Sequence, residues 1–236
     1  MSGSGVKTRL KRLARPLGSI VATTSPHVVL TYDDGPDPTA TPGILDALAG
    51  SGAGATFFVL LTRARRDPGI VRAAADAGHD VGLHGLDHTR LTTLAPDDVR
   101  RRTAEAKAEL EDLTGRPVRW FRPPYGAQSI GTWRAVRSTG LTPVFWNAST
   151  WDWRDISQDE RVSAATGRAS AGSVLLAHDG YADETDGADD GPAPAVDRVD
   201  LCRRLLVAFE ERSLSCVSLS QALEGSSPVL EATFVK

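Results

Sequence analysis

The stretch LTYDDGPDPTATPGI, Leu30–Ile44, carries an apolar run that stops at two adjacent carboxylates, Asp33 and Asp34, just before a Gly-Pro step. With the residues ahead of it, it reads as a buried strand over 27–33, HVVLTYD, that ends in a turn. Thr41 and Pro42 have the residue types of a helix N-cap and first helical position, which predicts a helix to about Ala49. Strand, turn and helix in that order make a βα unit, with both aspartates at the end of the strand. Two solvated turn residues would satisfy that placement. So would a metal ligand beside a general base.

The same order repeats along the chain. Strands are expected at 55–61 (ATFFVLL), 80–84 (DVGLH), 119–122 (RWFR), 142–147 (TPVFWN), 173–178 (SVLLAH) and 214–219 (LSCVSL). Helical patterns lie between them, opened by Asp67-Pro68 and closed by Gly78, then over 96–113, 130–140, 157–169 and 195–211. About seven strands alternating with helices imply an α/β fold with parallel strands. The chain of 236 residues, 41% hydrophobic and 24% charged, is long enough for one large domain. A net charge of −3 shows no global footprint of nucleic-acid binding, and no apolar run has the length of a membrane-spanning helix.

The organisation expected is a basic N-terminal arm over 1–25, a catalytic domain over 26–225 and a C-terminal tail over 226–236. The arm carries Lys7, Arg9, Lys11, Arg12 and Arg15, and Val6, Leu10, Leu13 and Leu17 fall at helical spacing. That spacing allows weak contact with a membrane surface. The segment LGSIVATTS is too short and too polar for the apolar core of a signal peptide, so a cytoplasmic location is expected, or secretion if the start codon is misassigned. Cys202 and Cys216 lack metal-ligand spacing and read as buried, reduced residues. The acidic, Gly- and Pro-rich segment GYADETDGADDGPAPA (180–195) reads as a long solvated surface loop.

Ligands of parallel α/β folds bind at the carboxyl ends of the strands. Asp33 and Asp34, His84 with His88, Arg122 with RPPYG, Trp146 with NASTWDW, and His178 with Asp179 all fall at such ends. His84 and His88, four residues apart, can face one ion together, and one carboxylate of the Asp33–Asp34 pair completes a His-His-Asp set. Three protein ligands leave open positions for water and substrate. The second carboxylate would then be free as a general base.

These residues carry a family resemblance. TYDDGPDPTA resembles the T-F-D-D-G-P motif of the polysaccharide deacetylases, the NodB-homology or carbohydrate esterase family 4 enzymes. HGLDH resembles their H-[ST]-x-x-H motif, RPPYG (122–126) matches their third, and WNASTWDW (146–153) and LAH (176–178) resemble the fourth and fifth, all in the family's order. The resemblance implies a distorted (β/α) barrel and a divalent metal, zinc first, with cobalt, nickel or manganese as alternatives. It implies Asp34, His84 and His88 as metal ligands and Asp33 as general base, held by Arg122. It implies the Tyr125 backbone N–H as oxyanion donor, His178 as general acid oriented by Asp152, and a pocket lined by Pro124, Tyr125 and Trp153. The implied reaction is removal of an N-acetyl group from an acetylated saccharide by a monomeric hydrolase. An O-acetyl esterase, an amidohydrolase of a small metabolite and a silent carbohydrate-binding barrel are the alternatives.

Two positions depart from the family pattern. Gly85 stands where Ser or Thr is usual, and Ser149 stands where an acid is common. Trp146 is expected in the core, Trp151 and Trp153 as an exposed pair near the site, His79 as structural and His27 at a strand edge.

Overall fold

The computed structural model describes residues 17–188 and 190–234. Its centre is β2, Val28–Asp33, whose six residues are all buried. A strand apolar on both faces must be covered on both, and here it lies inside a parallel sheet. On one side β3 (Thr56–Leu60) pairs with its upper half, and β9 (Cys216–Val217) with its lower half at Val28 and Val29. On the other side runs β8 (Val174–His178), in a register that sets Asp33 beside His178.

The sheet continues outward from β3 through β4 (Asp80–Gly85), β5 (Trp120–Phe121) and β6 (Thr142–Pro143), and from β8 to β7 (Ala148–Ser149). Every pairing in this sheet is parallel. This is the α/β, curled parallel sheet of a distorted barrel that the alternation and the resemblance imply.

The helices begin and end where local chemistry dictates. α1 (Thr41–Ser51), α2 (Leu61–Arg66), α3 (Pro68–Asp76) and α4 (Pro96–Thr114) follow β2, β3 and β4. Pro42, Pro68 and Pro96 each occupy the first turn, where a missing N–H costs nothing. α5 (Ile130–Ser138) and α6 (Gln158–Arg168) open with capping boxes, Ser129 with Thr132 and Ser157 with Glu160. α7 (Arg198–Glu210) and α8 (Leu219–Leu223) complete the set. Thr41 is not the cap of α1: Ala40 holds that position, and the Thr41 hydroxyl instead donates to Asp179 Oδ2 at 2.6 Å. No helix among the described residues is long and apolar enough to cross a membrane.

The expected ends of the domain require correction. β1 (Ser19–Thr23) and β10 (Pro228–Glu231) form an antiparallel pair that joins Ser19 to Glu231 and Thr23 to Pro228. Ser19 and Ile20 are buried, and β1 also bridges to Val144 and Ser173. Residues 19–25 and 228–231 therefore belong to the fold rather than to an arm and a tail. Val6, Leu10 and Leu13 lie outside the described residues. Cys202 and Cys216 are buried free thiols, which burial pushes up to about 11 and about 12.

Candidate active site

The carboxyl ends of β2, β4, β5 and β8 converge on one cleft of about 440 Å³. Asp33, Asp34, His84, His88, Tyr125, Trp153 and His178 line it, together with Arg90, Trp146, Tyr181 and Asp190. Arg122 and Asp152 lie beneath it and touch its lining residues.

Asp33 is the last residue of β2, and Asp34 turns the chain at φ 70. The two carboxylates thereby point into different surroundings. Asp33 Oδ1 accepts from Arg122 Nη1 at 2.7 Å. The same nitrogen reaches Thr31 Oγ1 at 2.7 Å, while Nε and Nη2 donate to the carbonyls of Val144 and Phe145. Arg122 is fully buried, with the Phe58 ring 4.3 Å from its guanidinium carbon. A buried guanidinium this fully bonded has one orientation, and it holds Asp33 in one place.

Asp34 Oδ1 is buried and has no hydrogen-bond partner among the described residues. It sits 3.4 Å from Nε2 of His84 and 3.4 Å from Nε2 of His88. His84 Nδ1 lies 2.8 Å from the Arg122 carbonyl oxygen, which can only accept. Nδ1 therefore carries the proton, and in the neutral ring Nε2 presents a lone pair. An orphaned carboxylate oxygen and imidazole lone pairs converging within 4.8 Å fit a divalent cation. Burial alone would raise the Asp34 carboxyl; the positive charge that His84, His88 and His178 carry when protonated outweighs it and holds the carboxyl far below its usual range. Burial pushes the His88 imidazole down.

His178 is differently placed. Its Nδ1 donates to Asp152 Oδ1 at 2.7 Å, and its backbone N–H donates to Asp152 Oδ2 at 2.8 Å. Burial works against the charged ring, but Asp152 prevails and raises His178 to about 9. Arg198 was not singled out from the sequence. It donates to Asp152 Oδ2 at 3.3 Å and to the His178 carbonyl at 3.0 Å, bracing the pair from α7. No motif marks it, because it stands at an ordinary helical position.

The third motif forms a tight turn. Tyr125 lies at φ 61 within the 3-10 segment Pro124–Gly126, and its ring meets His88 edge-on at 4.3 Å. Pro124, expected to line the pocket, is instead buried beneath it, 3.6 Å from where a Cβ on Gly85 would stand, and does not line the cleft. Gly85 sits at φ 121, and a Cβ there would come within 2.8 Å of the Asp87 carbonyl oxygen. Its glycine is therefore a backbone requirement of this turn. Ser149 is buried and ties the fourth-motif turn by accepting from the Trp151 N–H at 3.2 Å.

The tryptophans take different places. Trp146 packs against the core as expected and also lines the cleft, and the exposed Trp153 meets His178 edge-on at 5.6 Å. Trp151 does not pair with Trp153; it stacks under Arg154. His79 is buried away from the cleft, and His27 bonds Ser215 at 2.6 Å.

Comparison with known proteins agrees with this geometry. A model of the polysaccharide deacetylase family matches residues 21–144. A chitooligosaccharide deacetylase of Azorhizobium caulinodans is 36% identical over 154 residues, covering 65% of this chain and 73% of that protein. The peptidoglycan-N-acetylglucosamine deacetylase PgdA of Listeria monocytogenes is 34% identical over 67% of this chain, but the match spans only 33% of that longer protein. The crystal structure of the Bc1960 peptidoglycan N-acetylglucosamine deacetylase superposes with a TM-score of 0.76 at 27% identity, covering 89% of this chain and 94% of that one. With family motifs and cleft geometry in agreement, the chain belongs to the polysaccharide deacetylase family.

Proposed function

We propose that this protein is a metal-dependent hydrolase that removes the N-acetyl group from an N-acetylated sugar, breaking a carbon–nitrogen bond that is not a peptide bond. The named activities of the Azorhizobium and Listeria relatives support that substrate class. The observation that carries the reading is the pairing of Asp33 with Arg122 and of His178 with Asp152 around one cleft. One arrangement fixes a carboxylate acceptor and the other maintains a protonated imidazole at neutral pH.

Asp34, His84 and His88 would hold the metal, and the mixed nitrogen and oxygen donor set favours zinc. When bound, a divalent ion supplies Lewis acidity, polarising the acyl carbonyl and bringing the pKa of water to roughly 7. The remaining roles fall to the chain. Asp33 takes the proton of the attacking water as its oxygen bonds to the acyl carbon. His178, with Nδ1 engaged by Asp152, gives a proton from Nε2 to the sugar nitrogen as the carbon–nitrogen bond breaks. The Tyr125 backbone N–H is assigned to the oxyanion. Trp153 and Trp146 offer flat apolar faces to a sugar ring.

The test is acetate release from N-acetylglucosamine oligomers, acetylated xylan and a monomeric N-acetyl sugar conjugate, with zinc and with chelator. Asp33→Asn is expected to lower turnover by about 10²–10⁴-fold while zinc stays bound at the same stoichiometry. Full activity in that variant overturns the assignment.

A further inference from the structure

The loop after β8 is not the solvated acidic run that its composition implies. Asp186 at its centre is completely buried. Its carboxylate accepts from Arg63 Nε at 2.7 Å and from Arg66 Nη2 at 2.6 Å, both on α2, and from Thr62 Oγ1 at 3.3 Å. Arg63 also donates to the Tyr181 carbonyl at 2.5 Å. Ala182 and Ala188 pack with Leu60 in a small apolar cluster of their own. A buried carboxylate is tolerable only when so paired, and this one fixes the loop against the end of β3.

What the loop touches is the outer side of the Asp34–His88 pair. The Ala182 N–H donates to Asp34 Oδ2 at 3.3 Å. The Asp186 carbonyl accepts from the His88 backbone N–H at 2.7 Å. Asp190 Oδ2 lies 3.9 Å from His88 Nδ1, a buried nitrogen with no hydrogen bond among the described residues. Gly180 crosses the Asp34 backbone so closely that a Cβ there would come within 2.7 Å of the Asp34 carbonyl oxygen. His84 needs none of this, because its Nδ1 is held from below by the Arg122 carbonyl.

We infer that residues 180–188 together with Asp190 are the outer shell of the metal site, with Asp186 as the positioning residue that locks the loop and Asp190 as the carboxylate that orients and enriches His88. The inference rests on the reading of Asp34, His84 and His88 as metal ligands. Such outer partners fix the ring orientation and basicity of a ligating histidine, and their loss weakens metal binding by about 10–100-fold.

The experiment is a zinc dissociation constant, measured on the full chain by competition with a chromophoric chelator, so that no substrate is involved. Asp186→Asn and Asp190→Asn are each expected to weaken zinc by about 10-fold or more. Asp190→Glu, which keeps the carboxylate, recovers most of the affinity. Glu184→Gln removes an equal charge from an exposed position of the same loop and stays within twofold of wild type. Asp190 is at the exposed edge of the cleft, so its variants carry the test even if Asp186→Asn fails to fold. Tight zinc binding by wild type with Asp190→Asn unchanged overturns this inference alone. Equal weakening by Glu184→Gln overturns it as well, since the effect is then general charge. No zinc binding by wild type overturns the metal reading and this inference together.

Discussion

Arg122 and Asp33 face each other at 2.7 Å, with the arginine side chain wholly sealed and the aspartate side chain only 4% exposed. The guanidinium of one motif is thus committed to the carboxylate of another, and its own carbonyl fixes the tautomer of His84. Arg122→Met removes the charge but keeps much of the volume, leaving Asp33 buried and unpaired. A loss of about 3–5 kcal/mol in folding stability is expected, with turnover falling further than Arg122-independent zinc binding. Denaturant unfolding and steady-state kinetics on the same preparation check it.

Asp152 raises His178 to about 9 against the effect of burial. The folded-state pKa is above the unfolded value of about 6.5, so the protonated ring contributes stability that is complete below pH 6.5 or so and is lost as pH rises through about 9. Its capacity to donate a proton disappears over the same rise. Asp152→Asn is expected to move the alkaline limb of the kcat profile toward lower pH, with little change in the acid limb. A pH–rate series on wild type and variant reads the displacement directly.

The ligand atoms of Asp34, His84 and His88 lie within 4.8 Å of one another, and Asp34 Oδ1 has no hydrogen-bond partner among the described residues. A ligand bound only by the folded state stabilises it by mass action, about 2.7 kcal/mol at a hundred times its dissociation constant. Zinc is therefore expected to raise the melting temperature, and chelator to reverse the rise. His88→Ala is expected to abolish the zinc-dependent shift while retaining a cooperative transition in calorimetry.

Gly35 follows the paired aspartates for a steric reason. A Cβ there would overlap the Asp179 carboxylate, 2.1 Å from its Oδ2. Asp179 is itself buried, raised to about 7 by that burial, and bonded by Thr41. Gly35→Ala must displace Asp179 or the turn that carries Asp34. Loss of zinc affinity and a destabilisation of about 1–3 kcal/mol are expected, measured by the same two assays.

The strands that carry the site were legible because they are continuous apolar runs ending in polar residues. Asp33, His84, Arg122 and His178 all stand where a parallel strand stops, so chain order alone brought them to one rim. Thr31 and Arg198 were not legible. Thr31 is one β-branched residue inside an apolar run, and its bond to Arg122 depends on a register that no local signal encodes. Arg198 reaches Asp152 across a separation of 46 residues. The acidic loop misled for the opposite reason: its composition is that of a solvated segment, and only the positions of Arg63 and Arg66 on α2 reveal that Asp186 is buried. β1 and β10 escaped because each is a strand of five residues or fewer, paired with the far end of the chain.

That last pairing has a mechanical consequence. Ser19 opposes Glu231, so the two strands present their outward-leading ends at the same edge. A pull applied through the chain on either side loads the ladder at that edge and opens its hydrogen bonds one after another, as a zipper rather than in shear. Tension is expected to strip β1 and β10 first and at low force, while β2, β3, β4 and β8 keep the cleft assembled. In a single-molecule extension trace this gives a small early step ahead of the main rupture, and the catalytic rim outlasts the clasp that closes the chain.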